Sequence, residues 1–469
     1  MIFTSSEFLV FLALVLLITR LLRGEGHRRN VLLVASYFFY GWWDWRFTFL
    51  MFATTTIDYV VGLHLERMAD SGRRRALLVA SLVANLGILV YFKYMNFFID
   101  SLHPLLTAAG LHATRLDIVL PAGISFFTFQ SMSYTIDVYR RDLPATRSYR
   151  DFVMFVSFFP QLVAGPIVRA SVFMPQLRTH EHRPQWDNVR AGLELFVRGF
   201  VKKSLFADSL AALVDPVFAH PAAFAPLSVW LAVLAYAGQI YYDFSGYSDM
   251  ATGCGRMFGF QFPANFRHPY TSRSITEFWR RWHITLSTWL RDYLYIPLGG
   301  NRRGRGRTYL NLAITMLLGG LWHGASLTFL VWGAWHGAGL ALDKLRLDLM
   351  GDRAHPPPSA LRSLAGWAVT FLFVLVGWVF FRAPDFRSAF TVLGKMAFME
   401  PGGSHWTHVQ AVVVLVAGVA LHVRSVWQRE RELVPDLRQP LGWALAVIAI
   451  VLVLLFSPFS TNPFIYFQF

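Results

Sequence analysis

The sequence predicts an all-α, polytopic integral membrane protein, and three observations carry that prediction. Of 469 residues, 55% are apolar and 15% charged, against roughly 25% charged in an ordinary soluble domain. Apolar runs recur along almost the whole length. A bilayer asks for about 20 such residues per crossing, which leaves room for roughly ten to twelve transmembrane or re-entrant helices in one membrane domain, residues 1–469. The net charge of +15 sits in short clusters between apolar runs rather than in one stripe with interleaved aromatics. That pattern sets membrane topology and argues against a nucleic-acid partner.

The first run, Phe8 to Leu22, follows a segment without Lys or Arg, and no small-residue cleavage site comes after it. It reads as a retained helix, not a signal peptide. Further spans are expected at Val31 to Trp43 (short for a full crossing), Phe47 to Leu63, Ala76 to Phe98 and Ile118 to Tyr139. Basic clusters follow the first, third and fifth runs: Arg20 to Arg29, Arg67 to Arg75, and Arg140 to Arg150. The positive-inside rule places these in the cytoplasm and the N-terminus outside, which in a bacterium means the inner membrane.

From Asp151 the pattern changes. Phe155 to Pro160 and Leu162 to Ile167 are apolar but broken by Pro160, Gln161, Gly165 and Pro166. This predicts a re-entrant stretch that protein must bury. Asn188 to Leu213 carries Arg190, Arg198, Lys202 and Lys203 among apolar residues at helical spacing, as suits an amphipathic surface helix or a short buried one with solvated ends. Leu227 to Tyr242 is a strong span, ended by the polar group Asp243 to Asp249. Ser274 to Leu298 is rich in Arg and Trp, Tyr309 to Leu342 is apolar with embedded histidines, and Ala365 to Phe381, Val409 to Val423 and Leu441 to Phe456 close the chain.

A histidine inside an apolar run is costly in lipid and faces a protein interior or cavity, which makes it a functional candidate. His323 is the sharpest case, in Leu317-Leu-Gly-Gly-Leu-Trp-His-Gly-Ala-Ser326. Gly319, Gly320 and Gly324 permit close helix packing or a local break there. Desolvation keeps such an imidazole neutral, as a general base requires; the alternative is a structural hydrogen bond to a neighbouring helix. His283 lies in Glu277-Phe-Trp-Arg-Arg-Trp-His-Ile284, where Arg280 and Arg281 suit the phosphates of an anionic donor or simply snorkel to the membrane surface. His336 stands thirteen positions after His323; on one regular helix the two face well apart, so His336 reads as structural. Asp243 and Asp249 either line a substrate or proton path or sit in helix-end hydrogen bonds. The Arg302 to Arg307 cluster reads as a topology signal.

Some chemistries are disfavoured. The single cysteine, Cys254, offers neither an intramolecular disulfide nor a Cys-based metal site. No His-Glu-x-x-His motif, phosphate-binding glycine loop or Gly-x-Ser-x-Gly elbow occurs, so no metal is called for.

Phe278-Trp-Arg-Arg-Trp-His283, Arg291-Asp-Tyr-Leu-Tyr-Ile-Pro-Leu-Gly-Gly-Asn301 and Gly319-Gly-Leu-Trp-His-Gly324, with Gln130 to Tyr139, Phe158 to Ile167 and Asp243 to Asp249, closely resemble the membrane-bound O-acyltransferases. The nearest branch is the one containing the alginate O-acetyltransferase membrane subunit. The resemblance runs from about Pro121 to Leu342, giving a core of 121–342 between flanking helices in 1–120 and 343–469. It implies a helical bundle around a central tunnel, with His323 as the essential histidine and His283 as a second one on the donor side. Trp279, Arg280, Arg281, Trp282, Trp322, Asp243 and Asp249 become candidate donor-binding or tunnel-lining residues.

The implied reaction takes acetyl from a cytoplasmic thioester, acetyl-CoA or an acyl carrier, with no bound cofactor, and passes it across the membrane. Backbone groups freed at Gly319 and Gly320 are candidate oxyanion donors. Implied partners are membrane lipid, a periplasmic SGNH-like acetyltransferase with a serine nucleophile, and the machinery of polysaccharide synthesis and export. Relatives modify alginate, cellulose and other envelope polymers or pass D-alanine towards teichoic acid; the C-terminal end, short for an alginate subunit, keeps cellulose in view. Two other classes fit the composition. One is a transporter or flippase using Asp243, Asp249 and His323 as a proton path; the other is a non-catalytic scaffold.

Overall fold

The computed structural model describes residues 1–111, 114–179, 182–350, 359–427, 436–456 and 464, and among them every regular element is a helix. Two compact units emerge, one of residues 1–196 with 250–263, the other of 197–249 with 264–469.

In the first unit, α1 (Ser6–Leu21), α2 (Glu25–Gly41) and α3 (Arg46–Arg67) form where the apolar runs predict them. Ser5 caps α1 by accepting from the Phe8 amide, satisfying one of the donors every helix start leaves open. α4 (Gly72–Leu89) continues through a π-helical turn at Val90–Tyr94 into α5 (Met95–Ala108). That helical stretch passes the expected end at Phe98 and runs through Pro104. By contrast α6 (Ile124–Arg140) starts six residues later than the Ile118 expected. Gly123 sits just before it at φ 72°, and a Cβ there would fall 2.7 Å from the Leu162 carbonyl oxygen.

The broken stretch folds as α7 (Tyr149–Ser157), the single turn α8 (Phe159–Leu162) and extended backbone, and residues 152–168 are buried throughout. Two of its polar groups are met by protein: the Phe159 amide donates to Ser36 Oγ at 3.1 Å and Gln161 Nε2 donates to the Phe155 carbonyl at 2.6 Å. Protein burial is what irregular backbone needs at membrane depth. α9 (Ala170–Thr179) and most of α10 (Trp186–Val201) complete this unit. The three basic clusters meet as same-side clusters should. Arg29 pairs with Asp151 at 3.5 Å, and Arg74 and Arg141 share Asp70.

The second unit holds the end of α10, a π-helical turn at Lys202–Ala207, α11 (Asp208–Ala219) and most of α12 (Pro226–Met257). Next come the short α13 (Ile275–Arg281) and α14 (Ile284–Leu290), the long pair α15 (Arg305–His323) and α16 (Leu327–Met350), then α17 (Ala360–Arg382), α18 (Phe386–Met396), α19 (Val409–Trp427) and α20 (Pro440–Phe456). α12 corrects the sequence expectation: the polar group at Asp243 to Asp249 does not end the helix, which runs on to Met257. Among the described residues four helices are long and apolar enough to cross a membrane: Arg46–Arg67, Gly72–Ala108, Ala360–Arg382 and Val409–Trp427. The other apolar runs fold as shorter helices, such as α1 and α2, or carry polar residues inside them, as α12, α15 and α16 do.

Candidate functional site

The histidines are gathered in the second unit by two sharp bends. α13 begins with Ser274 accepting from the Glu277 amide at 3.1 Å, while the Glu277 carboxylate reaches back to the Arg273 amide at 2.8 Å and to Arg281 at 2.9 Å. Ser274 thus caps the helix as in a Ser-x-x-Glu box, while Glu277 reaches one residue further back than that box requires, to the amide before the cap. The helix stops after seven residues. Trp282 is extended and His283 takes a left-handed φ of 41°, from which α14 restarts. A non-glycine residue in that region persists only where its surroundings hold it.

Asn265 supplies much of that hold. Its carbonyl accepts from the Ile284 amide at 2.9 Å, its Oδ1 accepts from Thr285 Oγ1 at 2.9 Å, and its Nδ2 donates to Ser248 on α12 at 3.1 Å. Nothing in the sequence singled out Asn265.

The second bend follows His323, the last residue of α15. Gly324 is extended at φ −159°, and α16 starts three residues on and packs back along α15. Contact between the two helices is backbone to backbone. A Cβ on Gly320 would lie 2.3 Å from the Phe329 carbonyl oxygen, and one on Gly333 would lie 2.4 Å from that of Met316. Gly319 and Gly320 themselves lie inside the helix, so their backbone is not freed for an oxyanion as the sequence suggested; the break comes at residues 324–326.

The bends bring the His283 and His323 rings to 6.3 Å, forty residues apart in sequence and both buried. Phe244 meets His283 edge-on at 4.6 Å, while Trp322, Trp332 and Phe381 surround His323 at 5.0, 5.0 and 5.3 Å. Neither ring nitrogen of His283 has a hydrogen-bond partner. His283 sits in the bend between two seven-residue helices, outside the spanning helices, and burial pushes its pKa down to about 3. It is therefore neutral at physiological pH.

Of the other predicted residues, Trp322 and Trp279 join this aromatic enclosure, Trp279 lying 5.8 Å from Trp332. Trp282 packs on Phe266 and Trp378 at 5.1 and 4.9 Å, one ring back from the histidines. Arg280 and Arg281, with Arg267 and Glu277, line an open polar pocket of about 490 Å³. Arg281 is tied to Glu277, whereas Arg280 is exposed. The pocket places three cations against one carboxylate, a surplus suited to phosphate oxygens.

Asp243 and Asp249 are held in ion pairs. Lys203 bridges Asp243 at 2.9 Å and Asp208 at 2.8 Å, all three buried, and Asp249 accepts from Arg198 at 2.9 and 2.6 Å and from Lys202 at 2.7 Å. The basic face of Asn188 to Leu213 thus reaches inward to α12 through three of its cations. A proton path built on free carboxylates at 243 and 249 loses its acids.

His336 does not share one regular helix with His323, on which it would face away: the chain breaks after His323, and a single ring, Trp332, lies between the two histidines, 5.0 Å from one and 4.8 Å from the other. Its two ring nitrogens and the indole nitrogens of Trp279 and Trp332 have no hydrogen-bond partner. Each such buried polar atom costs about 1–3 kcal/mol if left unmet.

Comparison with known proteins shows what the chain is similar to. Residues 140–382 match the membrane-bound O-acyltransferase family. A probable alginate O-acetylase of Pseudomonas putida is 42% identical over the full length of both chains. The corresponding protein of Pseudomonas aeruginosa is 48% identical over 84% of this chain and 75% of its own. A peptidoglycan O-acetyltransferase of Helicobacter pylori is 37% identical over 78% and 73%.

Proposed function

Because the chain belongs to the membrane-bound O-acyltransferase family, we propose that it moves acetyl groups from a cytoplasmic thioester, acetyl-CoA or an acylated carrier, across the bacterial inner membrane to hydroxyls of an exported polysaccharide. Alginate is the acceptor named for the Pseudomonas relatives and peptidoglycan for that of Helicobacter. The observation that carries this reading is the meeting of His283 and His323, each at a helix bend, inside one buried aromatic enclosure.

His323 acts as general base. It takes the proton from an acceptor hydroxyl while the hydroxyl oxygen bonds to the thioester carbonyl carbon; the carbon–sulfur bond then breaks, and the proton passes from the imidazolium to the leaving thiolate. General-base assistance of this kind contributes about 10²- to 10⁴-fold. His283, neutral and unpartnered, is placed to position the donor carbonyl. The Arg267, Arg280 and Arg281 pocket suits the phosphates of the donor. A periplasmic acetyltransferase of the SGNH type, with a serine hydroxyl, would receive the group and deliver it to the polymer, alongside the polymer's own synthesis and export machinery.

The test is the O-acetyl content of exported polysaccharide from cells carrying wild type, His323→Ala or His283→Ala at matched membrane abundance. Loss of acetyl with polymer yield intact is expected for both variants. Normal acetylation in the His323 variant would refute the role given to it, and loss of the polymer itself would revive transport.

A further inference from the structure

The reaction centre borders a polar group that acyl transfer as described does not use. His336 is fully buried, and neither Nδ1 nor Nε2 has a hydrogen-bond partner. The same holds for the indole nitrogens of Trp279 and Trp332, whose rings lie 5.3 and 4.8 Å from the imidazole. Phe278 stacks on the imidazole at 6.0 Å, so carbon covers much of the ring. Nε2 faces the α17 backbone: a Cβ on Gly377 would fall 2.8 Å from that nitrogen, so only a glycine lets the helix come this close.

The hydrogen inventory selects the ligand. A neutral imidazole offers one N–H and one acceptor, and each indole offers only an N–H. The two imidazole nitrogens point apart, so one oxygen reaches only one of them; an oxygen that donates to the unprotonated nitrogen and accepts from the two indole N–H groups meets that side, as a water molecule does, whereas a carbonyl oxygen cannot donate.

We propose that His336, Trp279 and Trp332 form a buried water site that fixes the Trp332 indole against His323, making His336 a positioning residue for the reaction histidine. The bridge runs from His336 through water to Trp332, and Trp332 forms one wall of the His323 enclosure at 5.0 Å. This rests on the role given to His323 above.

The test uses the detergent-purified full chain and thiol release from acetyl-CoA, comparing wild type, His336→Phe, His336→Asn and Gly377→Ala. Phe fills an aromatic enclosure well but makes no hydrogen bond, whereas Asn keeps a donor and an acceptor, so packing and hydrogen bonding predict opposite rankings. The expected result is a fall in kcat of about tenfold for His336→Phe, with KM for acetyl-CoA within about twofold of wild type. His336→Asn should recover most of that loss, and Gly377→Ala, which keeps the imidazole but crowds Nε2, should resemble His336→Phe. Full activity in His336→Phe, or equal loss in the Phe and Asn variants, overturns the proposal; so does a rise in KM with kcat intact.

A second measurement needs no turnover. The indole hydrogen-bond marker in the resonance Raman difference between wild type and Trp332→Phe should report a bonded N–H, and a free one overturns the water site. Wild type that releases no thiol but shows the bonded marker would count against the donor assignment alone.

Discussion

Replacing Gly320 with alanine tests how closely the reaction centre depends on the approach of α15 to α16. The added methyl would lie 2.3 Å from the Phe329 carbonyl oxygen and 3.2 Å from both the Gly333 amide nitrogen and Cα, where ordinary contact begins near 3.4 Å. All three are backbone atoms, so no side chain can swing aside and the helices must part by about 1 Å, a displacement that can cost 10²-fold in rate when it reaches the reacting groups. His323 is three residues further along the same helix. Overpacking of this kind also destabilises by about 1–3 kcal/mol.

Gly319→Ala is the matched control. Its methyl meets only the Leu290 Cδ1 at 3.2 Å, the end of a flexible side chain, and Ala is favoured over Gly inside a helix by about 0.5–1 kcal/mol. Thiol release from acetyl-CoA and detergent melting should therefore fall together in Gly320→Ala and stay near wild type in Gly319→Ala. Wild-type turnover in Gly320→Ala, or equal losses in the two, would refute the reasoning.

Further outcomes follow from the site. His283, held neutral by burial with a folded-state pKa of about 3 against 6.5 when free, should contribute no acid limb to the rate profile between about pH 4 and 8. Its linkage has a definite sign. As pH falls below 6.5 the unfolded chain takes up the proton first, so the stability it contributes drains away towards pH 3; His283→Gln should flatten that part of a melting-temperature profile against pH. Lys203→Met strands the Asp208 and Asp243 carboxylates and should destabilise by about 3–5 kcal/mol, seen in detergent melting and recovered when both aspartates are made asparagine. Arg280→Ala should raise KM for acetyl-CoA by about tenfold while leaving acetyl-pantetheine, which lacks the nucleotide phosphates, unaffected; equal effects on both would remove the phosphate role.

Local hydropathy made much of the helical plan legible. α1 to α3 and α17, α19 and α20 lie close to the apolar runs, because a sustained apolar stretch bounded by charge needs no distant partner to be recognised. The broken stretch at Phe155 to Ile167 was legible for the opposite reason, its prolines and glycines being incompatible with a long helix. His283 and His323 could be singled out because an imidazole is conspicuous among leucines and tryptophans.

What escaped depends on contacts far apart in sequence. The span was expected to end at Tyr242 because the apolar run stops there and a polar group follows; Arg198, Lys202 and Lys203 pair with those carboxylates, and no window along α12 contains them. The place of His336 turned on where the helix breaks. Asn265 carries no local signature, since its value lies in joining Ser248 to Ile284 and Thr285.

The ion pairs between the 198–203 segment and α12 bear on biogenesis. An isolated helix carrying Asp243 near its middle would meet a penalty of about 2.5–3.5 kcal/mol on entering lipid, and Asp249 adds to it. Lys203 precedes Asp243 by forty residues and Arg198 precedes Asp249 by fifty-one, so the neutralising cations leave the ribosome first. The earlier segment can thus wait as a chaperone in cis, and α12 would enter the bilayer as part of a charge-balanced pair.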